Sequence, residues 1–320
     1  MSYTTQNPVL FMIFNRLETT KAVFEAIARA KPKRLYISGN LEREGKVHSD
    51  GISECVKVRE CREFVLNNIS WDCEVKVRFL DTHLGCKDSL SSAIMWFFEN
   101  ETQGIILEDD DVPNEGFWQF CDELLERYKD DEKISMISGW SATDFFPNGA
   151  KEGIKESYFF SRYNHIWGFA SWARAWKKYR LDNEAWESDF AKFSFDSRQE
   201  REYWHKVFKS YYAGEIDTWD YPMSFCNWQQ DMLAIYPKDN MIVNIGLNRA
   251  DAAHTTGESK FENMPTYETH FPLIHPQKVE RNIELDKANF KAVFAPPNLA
   301  VRVINKLCRY MLKRNVIKVS

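Results

Sequence analysis

The chain contains no C-x-x-C pair, and its seven cysteines (Cys55, Cys61, Cys73, Cys86, Cys121, Cys226 and Cys308) are odd in number and scattered. That distribution excludes a disulfide framework and a cysteine zinc site, and it predicts reduced thiols in a cytoplasmic protein. No stretch approaches the ~20 apolar residues of a membrane span. Met1 to Pro8 is polar and lacks a signal-peptide pattern, so a soluble main body is expected. The net charge is −5, which removes any global attraction for nucleic acid. There is no internal repeat, no low-complexity segment and no Pro/Gly-rich linker. One continuous domain with two functional halves therefore fits better than two independent ones.

Aromatic residues, by contrast, are plentiful: 11 Trp, 13 Tyr and 23 Phe among 320 residues. Many lie between residues 158 and 228, a concentration that suits a sugar-binding or partner-binding surface as well as a core. Pro8 to Phe14 is a continuous apolar run, a buried strand closed by Asn15-Arg16. Leu17 to Ala30 reads as a helix broken by Pro32, and Arg34 to Ser38 as a second strand. Ile52 to Asn68 (helix), Cys73 to Leu80 (strand) and Leu90 to Glu99 (apolar helix) continue the alternation, with a charged loop at Leu41 to Asp50. Gly116 to Tyr128 predicts another helix and Ile134 to Gly139 another short strand. Such alternation implies βαβ units: an α/β fold with a mostly parallel central sheet flanked by helices. Beyond Ser141 the sequence is less periodic and richer in loops.

The most informative stretch is Gly104 to Pro113. The apolar run Ile105 to Leu107 ends in four consecutive carboxylates, Glu108, Asp109, Asp110 and Asp111. Ligands in open α/β sheets sit at the carboxyl ends of strands, and acids packed there need a compensating cation. Hard divalent cations prefer oxygen ligands and bridge substrate phosphates, so a Mg²⁺ or Mn²⁺ nucleotide site is expected. The plainer alternative is a solvated acidic turn.

An apolar strand, Asn15-Arg16, a helix, a strand, then a strand ending Leu107-Glu108-Asp109-Asp110 resembles the GT-A class of sugar-nucleotide-dependent glycosyltransferases. More narrowly it is similar to bacterial family-2-like transferases of the haemolytic-protein-like group. More distantly it resembles the N-acetylglucosaminyltransferase I group. Supporting segments are Leu84-Gly85-Cys86-Lys87, Ile166 to Trp172, Asp217-Thr218-Trp219-Asp220, Asn244 to Leu247 and His254-Thr255. Two positions depart from the pattern. Ser38-Gly39-Asn40 stands where an Asp-Gly pair is common, and His83 where an Asn is usual, which bears on base and ribose recognition.

The resemblance implies a GT-A nucleotide-diphospho-sugar transferase fold. Residues 1–140 form its nucleotide-sugar-binding half and residues 141–295 its acceptor-binding and catalytic half. It makes Glu108-Asp109-Asp110 a DXD-type donor motif, with Asp110 on the metal and Asp109 near ribose or sugar hydroxyls. Asp111 is the alternative ligand, one residue along the same run. His254 is a further candidate metal ligand, against an ordinary loop histidine. An inverting transferase needs a carboxylate base for the acceptor hydroxyl. Asp220 is favoured for it over Asp217, although an Asp in such a position also caps helices. Asn15 and Arg16 would hold the nucleoside, Lys87 a phosphate, and Trp167-Gly168 the donor sugar, with solvated surface or core as the alternatives. The tail carries Arg302, Lys306, Arg309 and Lys313 along one stripe opposite Ile304, Leu307, Cys308, Met311 and Leu312. Residues 296–320 thus read as a basic amphipathic helix, either docked on the body or peripheral on the inner face of the cytoplasmic membrane.

The expected activity is transfer of a hexosyl or N-acetylhexosaminyl group from a nucleotide-diphosphate sugar, UDP-linked by preference. The acceptor is a bacterial surface glycan or a lipid-linked glycan, and polysaccharide biosynthesis is the setting. A sugar nucleotidyltransferase shares the acidic metal strand, but it begins with a Gly-rich loop after the first strand, and Asn15-Arg16-Leu17 is not one. A non-catalytic glycan-binding protein is the remaining alternative.

Overall fold

The computed structural model describes residues 3–249 and 259–295. In chain order the first half comprises β1 (Val9–Ile13), α1 (Leu17–Ala30), β2 (Arg34–Gly39), α2 (Glu54–Asn67), β3 (Glu74–Phe79), α3 (Cys86–Asn100) and β4 (Gln103–Glu108). There follow β5 (Asp111–Pro113), α4 (Glu115–Arg127), β6 (Ile134–Ser138), β7 (Tyr158–Ser161) and β8 (Phe169–Trp172). The remainder is α5 (Ala173–Trp176), α6 (Trp186–Phe190), α7 (Arg198–Tyr212), α8 (Asp220–Gln229), β9 (Leu233–Pro237), β10 (Ile242–Asn244) and α9 (Ile283–Asn289).

Eight strands form one sheet in the order β3-β2-β1-β4-β8-β6-β9-β7, and β5 pairs separately with β10. β7 and β8 run against the other six strands. The protein is therefore mixed α/β, with its large central sheet flanked by helices. Strands from both sides of residue 140 enter the same sheet, because β8 inserts between β4 and β6.

β1 is apolar at every position, and β4 is apolar over Ile105 to Leu107, because both of their faces are covered. Alternation sends Val9, Phe11, Ile13, Ile105 and Leu107 into a core with Val23, Phe24 and Ile27 of α1 and Phe117, Phe120 and Leu124 of α4. Leu10, Met12 and Ile106 point the other way, onto Ala93, Ile94 and Phe97 of α3. The aromatic half resolves differently from a binding surface. Tyr163, Phe190, Trp204, Phe208, Phe225, Trp228 and Phe290 are buried together in a third core built on α6, α7 and α8.

One predicted boundary moved for a reason that local sequence does not carry. The third helix starts at Cys86, not Leu90, because the Cys86 and Lys87 amides donate to the Asp217 carboxylate at 2.9 and 3.1 Å. This cap arrives from far along the chain and satisfies the first turn that Gly85 leaves open. Gly85 is required there, since a Cβ would lie 2.7 Å from Asp217 Oδ2. The Asn244-to-Leu247 segment begins where β10 ends, and there the chain turns so that the Ile245 amide donates to the Asp110 carbonyl.

The topology places a crevice. From β1 the chain moves outward through β2 to β3, then returns to β4 on the other side of β1. Strand order reverses between β1 and β4, and a crevice opens outside their carboxyl ends. The packing beneath it is close: a Cβ on Gly104 in β4 would stand 2.3 Å from the buried Phe97 ring and 2.8 Å from the Pro8 carbonyl oxygen. Gly104→Ala is accordingly expected to destabilise the protein by about 1–3 kcal/mol through overpacking. Chemical denaturation should show a lower midpoint with an unchanged slope.

Candidate active site

At the switch point β1 ends beside β4, with Met12 opposite Glu108. Arg16, just past β1, reaches the acidic turn after β4. Its Nη2 donates to Asp109 Oδ1 at 2.5 Å and to Asp110 Oδ2 at 2.7 Å. The sequence placed Arg16 on the nucleoside; the structure shows it neutralising the carboxylates. Even so, negative charge remains in excess. Burial and the charges of Asp110 and Asp109 push Glu108 up to about 8 against the opposing Arg16. Asp109 is raised by burial too, with Arg16 pulling the other way. Among the described residues, Asp109 Oδ2 is buried with no hydrogen-bond partner.

Asp111, the alternative ligand, is held by protein groups. It is fully buried, its Oδ2 accepting from the Gly168 amide at 2.9 Å and its Oδ1 from Asn244 Nδ2 at 3.0 Å. It therefore braces the β5–β10 ribbon against the segment that enters β8. Gly168 has φ +58, and a Cβ there would strike Ile242 at 2.5 Å, so a glycine is needed for that brace. Gly246 lies equally close on the other side, where a Cβ would fall 2.0 Å from Asp110 Oδ2.

Asp217, the second candidate base, is the remote cap of α3 described above. Lys87 is drawn with that cap: its Nζ stands 5.9 Å from the Tyr211 ring and forms no ion pair with the acids. Asn15 donates to Glu54 Oε1 at 2.8 Å. Glu54 is fully buried, accepts from Arg43 and also meets His48 Nε2 at 3.1 Å, which ties the Leu41-to-Asp50 loop to the end of β1. Trp167 packs edge-on against Trp140 at 4.9 Å, one residue before the Gly168 brace. Asp220 opens α8, and Thr218 Oγ1 donates to it. It shares a pocket wall with Trp140, Asn164, Trp167 and Tyr221. Its charge reaches Glu108. The Cys86 thiol, raised first by burial, is raised further by Glu108, Asp217, Asp220 and Asp110. Asp111, in the same acid run, accepts from the Gly168 amide, and Trp167 beside it lines the pocket that Asp220 shares, which joins the acid turn to that wall. His254, like residues 296–320, lies outside the described residues.

Among the described residues no three His, Cys, Asp or Glu side chains form a ready-made metal cage. The donor chemistry nevertheless suits a hard cation: carboxylate oxygens in excess, one of them an orphan on Asp109. Mg²⁺-type sites use one or two carboxylates and complete their shell with substrate phosphates and water. The residues fit a cation shared with a diphosphate, and do not fit one held by protein alone.

Glu54, Asn164 and the bracing pair Asn244 and Gly246 are the site residues whose roles the sequence did not show. Asn244 and Gly246 stood within a quoted segment, whereas nothing in the Ile52-to-Asn68 helix marked Glu54.

No protein-family model and no curated protein sequence matches the chain. Among solved structures it is similar to HddC from Yersinia pseudotuberculosis: 11% identity over 59% of this chain and 87% of that one, TM-score 0.32. Mouse xyloside xylosyltransferase 1 (apo form) aligns at 12% identity over 71% and 81%, TM-score 0.33. The galactosyltransferase LgtC, in complex with donor and acceptor sugar analogs, aligns at 12% over 72% and 86%, TM-score 0.31. At such scores these likenesses decide neither fold nor reaction.

Two outcomes follow for the groups that frame the crevice. Burial alone would raise Glu54, but the hydrogen bonds and charge of Arg43 outweigh it and bring the carboxyl down to about 2. With the folded value below the unfolded one, Glu54 stabilises the protein above the unfolded pKa of ~4.3, and that contribution is lost as pH falls through about 2. Glu54→Gln should flatten the decline in melting temperature between those pH values relative to wild type. Asp217→Ala should cost about 0.5–2 kcal/mol of stability through loss of the α3 cap, while donor binding measured calorimetrically stays within about threefold of wild type.

Proposed function

We propose that this chain is a metal-dependent, inverting glycosyltransferase of GT-A type, moving a sugar from a UDP-linked donor to a glycan acceptor. The observation that carries the reading is the convergence, at the β1/β4 switch point, of Glu108, Asp109, Asp110 and Arg16 beside an aromatic pocket walled in part by Asp220. A diphosphate leaving group develops negative charge, and a divalent cation neutralises it. Asp110 would hold that cation with the diphosphate, and Asp109 contributes its orphan oxygen to the same turn. Arg16 loosens from the carboxylates as phosphate oxygens compete for its guanidinium. Trp167 offers a ring face to sugar C–H surfaces, and the Gly168 brace holds it in place.

Asp220 then takes the proton of the acceptor hydroxyl at a carboxylate oxygen, with the Thr218 hydroxyl fixing the rotamer. A placed candidate base favours inversion. No helix among the described residues is long and apolar enough to cross a membrane. A lipid-linked acceptor, with the basic segment 296–320 at the membrane surface, remains the proposed cellular setting.

Hydrolysis of a panel of nucleotide sugars, with Mn²⁺, Mg²⁺ or EDTA, tests the reading. Metal-dependent release of UDP from one donor is expected. Asp110→Asn should lower that release by about 10²-fold. Asp220→Asn should leave hydrolysis within severalfold of wild type but reduce transfer to an added acceptor by about 10²–10⁴-fold. Pyrophosphate-dependent turnover would instead identify a nucleotidyltransferase. Silence across the panel, with no calorimetric binding of UDP plus Mn²⁺, would leave a glycan-binding protein.

A further inference from the structure

A line of rings leads from the pocket out to the surface. Trp167 meets Trp140 at 4.9 Å between centroids, Trp140 meets Phe261 at 5.2 Å, and Phe261 meets Phe145 at 5.3 Å, each pair edge to face. The first three rings line the pocket, whereas Phe145 stands beyond it and is 38% exposed. Its neighbour Phe146 shows why one of two adjacent phenylalanines faces outward. Phe146 is buried, its ring 6.4 Å from Phe159 and 6.2 Å from Tyr236, and it anchors the short turn that carries both. A lone exposed ring is ordinary, but here a second lies close by. Tyr267 is 37% exposed, and its hydroxyl donates at 2.8 Å to Asp144, the residue before Phe145.

The polar groups of this patch are built in. Asp144 also accepts from Lys151 Nζ at 2.6 Å; the same ammonium pairs with Asp239 at 2.8 Å and lies 4.3 Å over the Tyr267 ring. Buried Asn240 holds the two loops of the patch together. Its Oδ1 accepts from the Ser141 amide at 3.1 Å, and its Nδ2 donates to the Pro265 carbonyl at 2.9 Å. Its own carbonyl accepts from the Tyr267 amide at 2.9 Å. Thr143 Oγ1 donates to the Lys238 carbonyl at 2.5 Å, which fixes the turn before Phe145. Exposed rings bordered by carboxylate, ammonium and phenol groups complement the C–H faces and hydroxyls of a sugar. Because the loops are already pinned, little ordering cost falls on binding.

We propose that Phe145, Tyr267, Asp144 and Lys151 form a second glycan subsite, which takes a distal sugar residue of an oligosaccharide whose reacting end lies in the pocket. The unbroken run of rings from Trp167 to Phe145 carries this choice of occupant, since a glycan leaving the pocket across Phe261 meets Phe145 next. Calling that oligosaccharide an acceptor rests on the glycosyltransferase reading above; the subsite itself rests on the rings and the pinned polar cluster.

The test is binding of the full chain, with UDP and Mn²⁺ and again without them, to an array of bacterial glycans in series of increasing length that share a terminal residue. Calorimetry on the best series then gives the ratio of affinities for its long and short members. At least one series should bind, its long members about tenfold or more tighter than its monosaccharide. Phe145→Ala and Tyr267→Ala should each lower that ratio by about three- to tenfold, the worth of one aromatic contact. Phe145→Trp, which keeps a ring at the position, should retain it. Far-ultraviolet circular dichroism of each variant reports folding. Affinity independent of length, or a ratio unmoved by Phe145→Ala, would overturn the proposal. So would equal loss from Phe145→Trp and Phe145→Ala, and binding of no series would leave the patch to a protein partner. The transferase reading fails separately. Absence of metal-dependent donor binding and hydrolysis, with the length preference and its Phe145 dependence intact, would refute transfer and leave the subsite standing.

Discussion

Carboxylates crowded at the end of a buried strand cannot all ionise unless cations or N–H groups face them, and the protein answers this at each acid differently. Arg16 faces Asp109 and Asp110. The Gly168 amide and Asn244 face Asp111. Glu108 has no comparable partner and rises to about 8. Burial outweighs these contacts, so Asp109 is raised and Asp111 is raised well above the usual carboxylate range. The whole run is short of positive charge, which is the condition a cation–diphosphate ligand would relieve. The glycines follow from the same constraint. Gly168 and Gly246 bring backbone within bonding or van der Waals reach of the acids, where a Cβ would collide.

The second half of the chain divides its aromatic residues between two tasks. Most build a separate core on α6, α7 and α8, which holds the start of α8 and so fixes Asp220. A smaller set, around Trp140 and Trp167, lines the pocket next to the acids. Tyr163 and Trp204 belong to both, lying in that core and along the pocket wall. The Asp217 cap belongs to this arrangement as well: it ties the segment before α8 to the first turn of α3, holding the two halves in register around the crevice.

The strands and helices of the first half were readable because burial on both sheet faces imposes continuous apolar runs, and amphipathic helices separate them. The helix expected over Leu17 to Ala30 has those bounds in the structure. The acid run was readable because four carboxylates directly after a buried strand have few structural uses. Readings failed where the partner lay far away in the chain. Lys87 carried no local sign that its turn would be capped by Asp217. Asn15 carried none that it would bind Glu54. Asp110 and Asp111 differ only by their places in a turn, which three-dimensional packing alone distinguishes.

By itself, then, the amino-acid order determined the α/β class, the central strands and the concentration of acid at the end of β4, because these depend on periodicity and on neighbours in sequence. Tertiary structure decided which acid braces, which caps and which faces the pocket. It also decided that Arg16 compensates the carboxylates. Those assignments depend on distances between residues up to about 130 positions apart, and electrostatic and hydrogen-bonding energies are set by such distances and by burial, neither of which a linear pattern encodes.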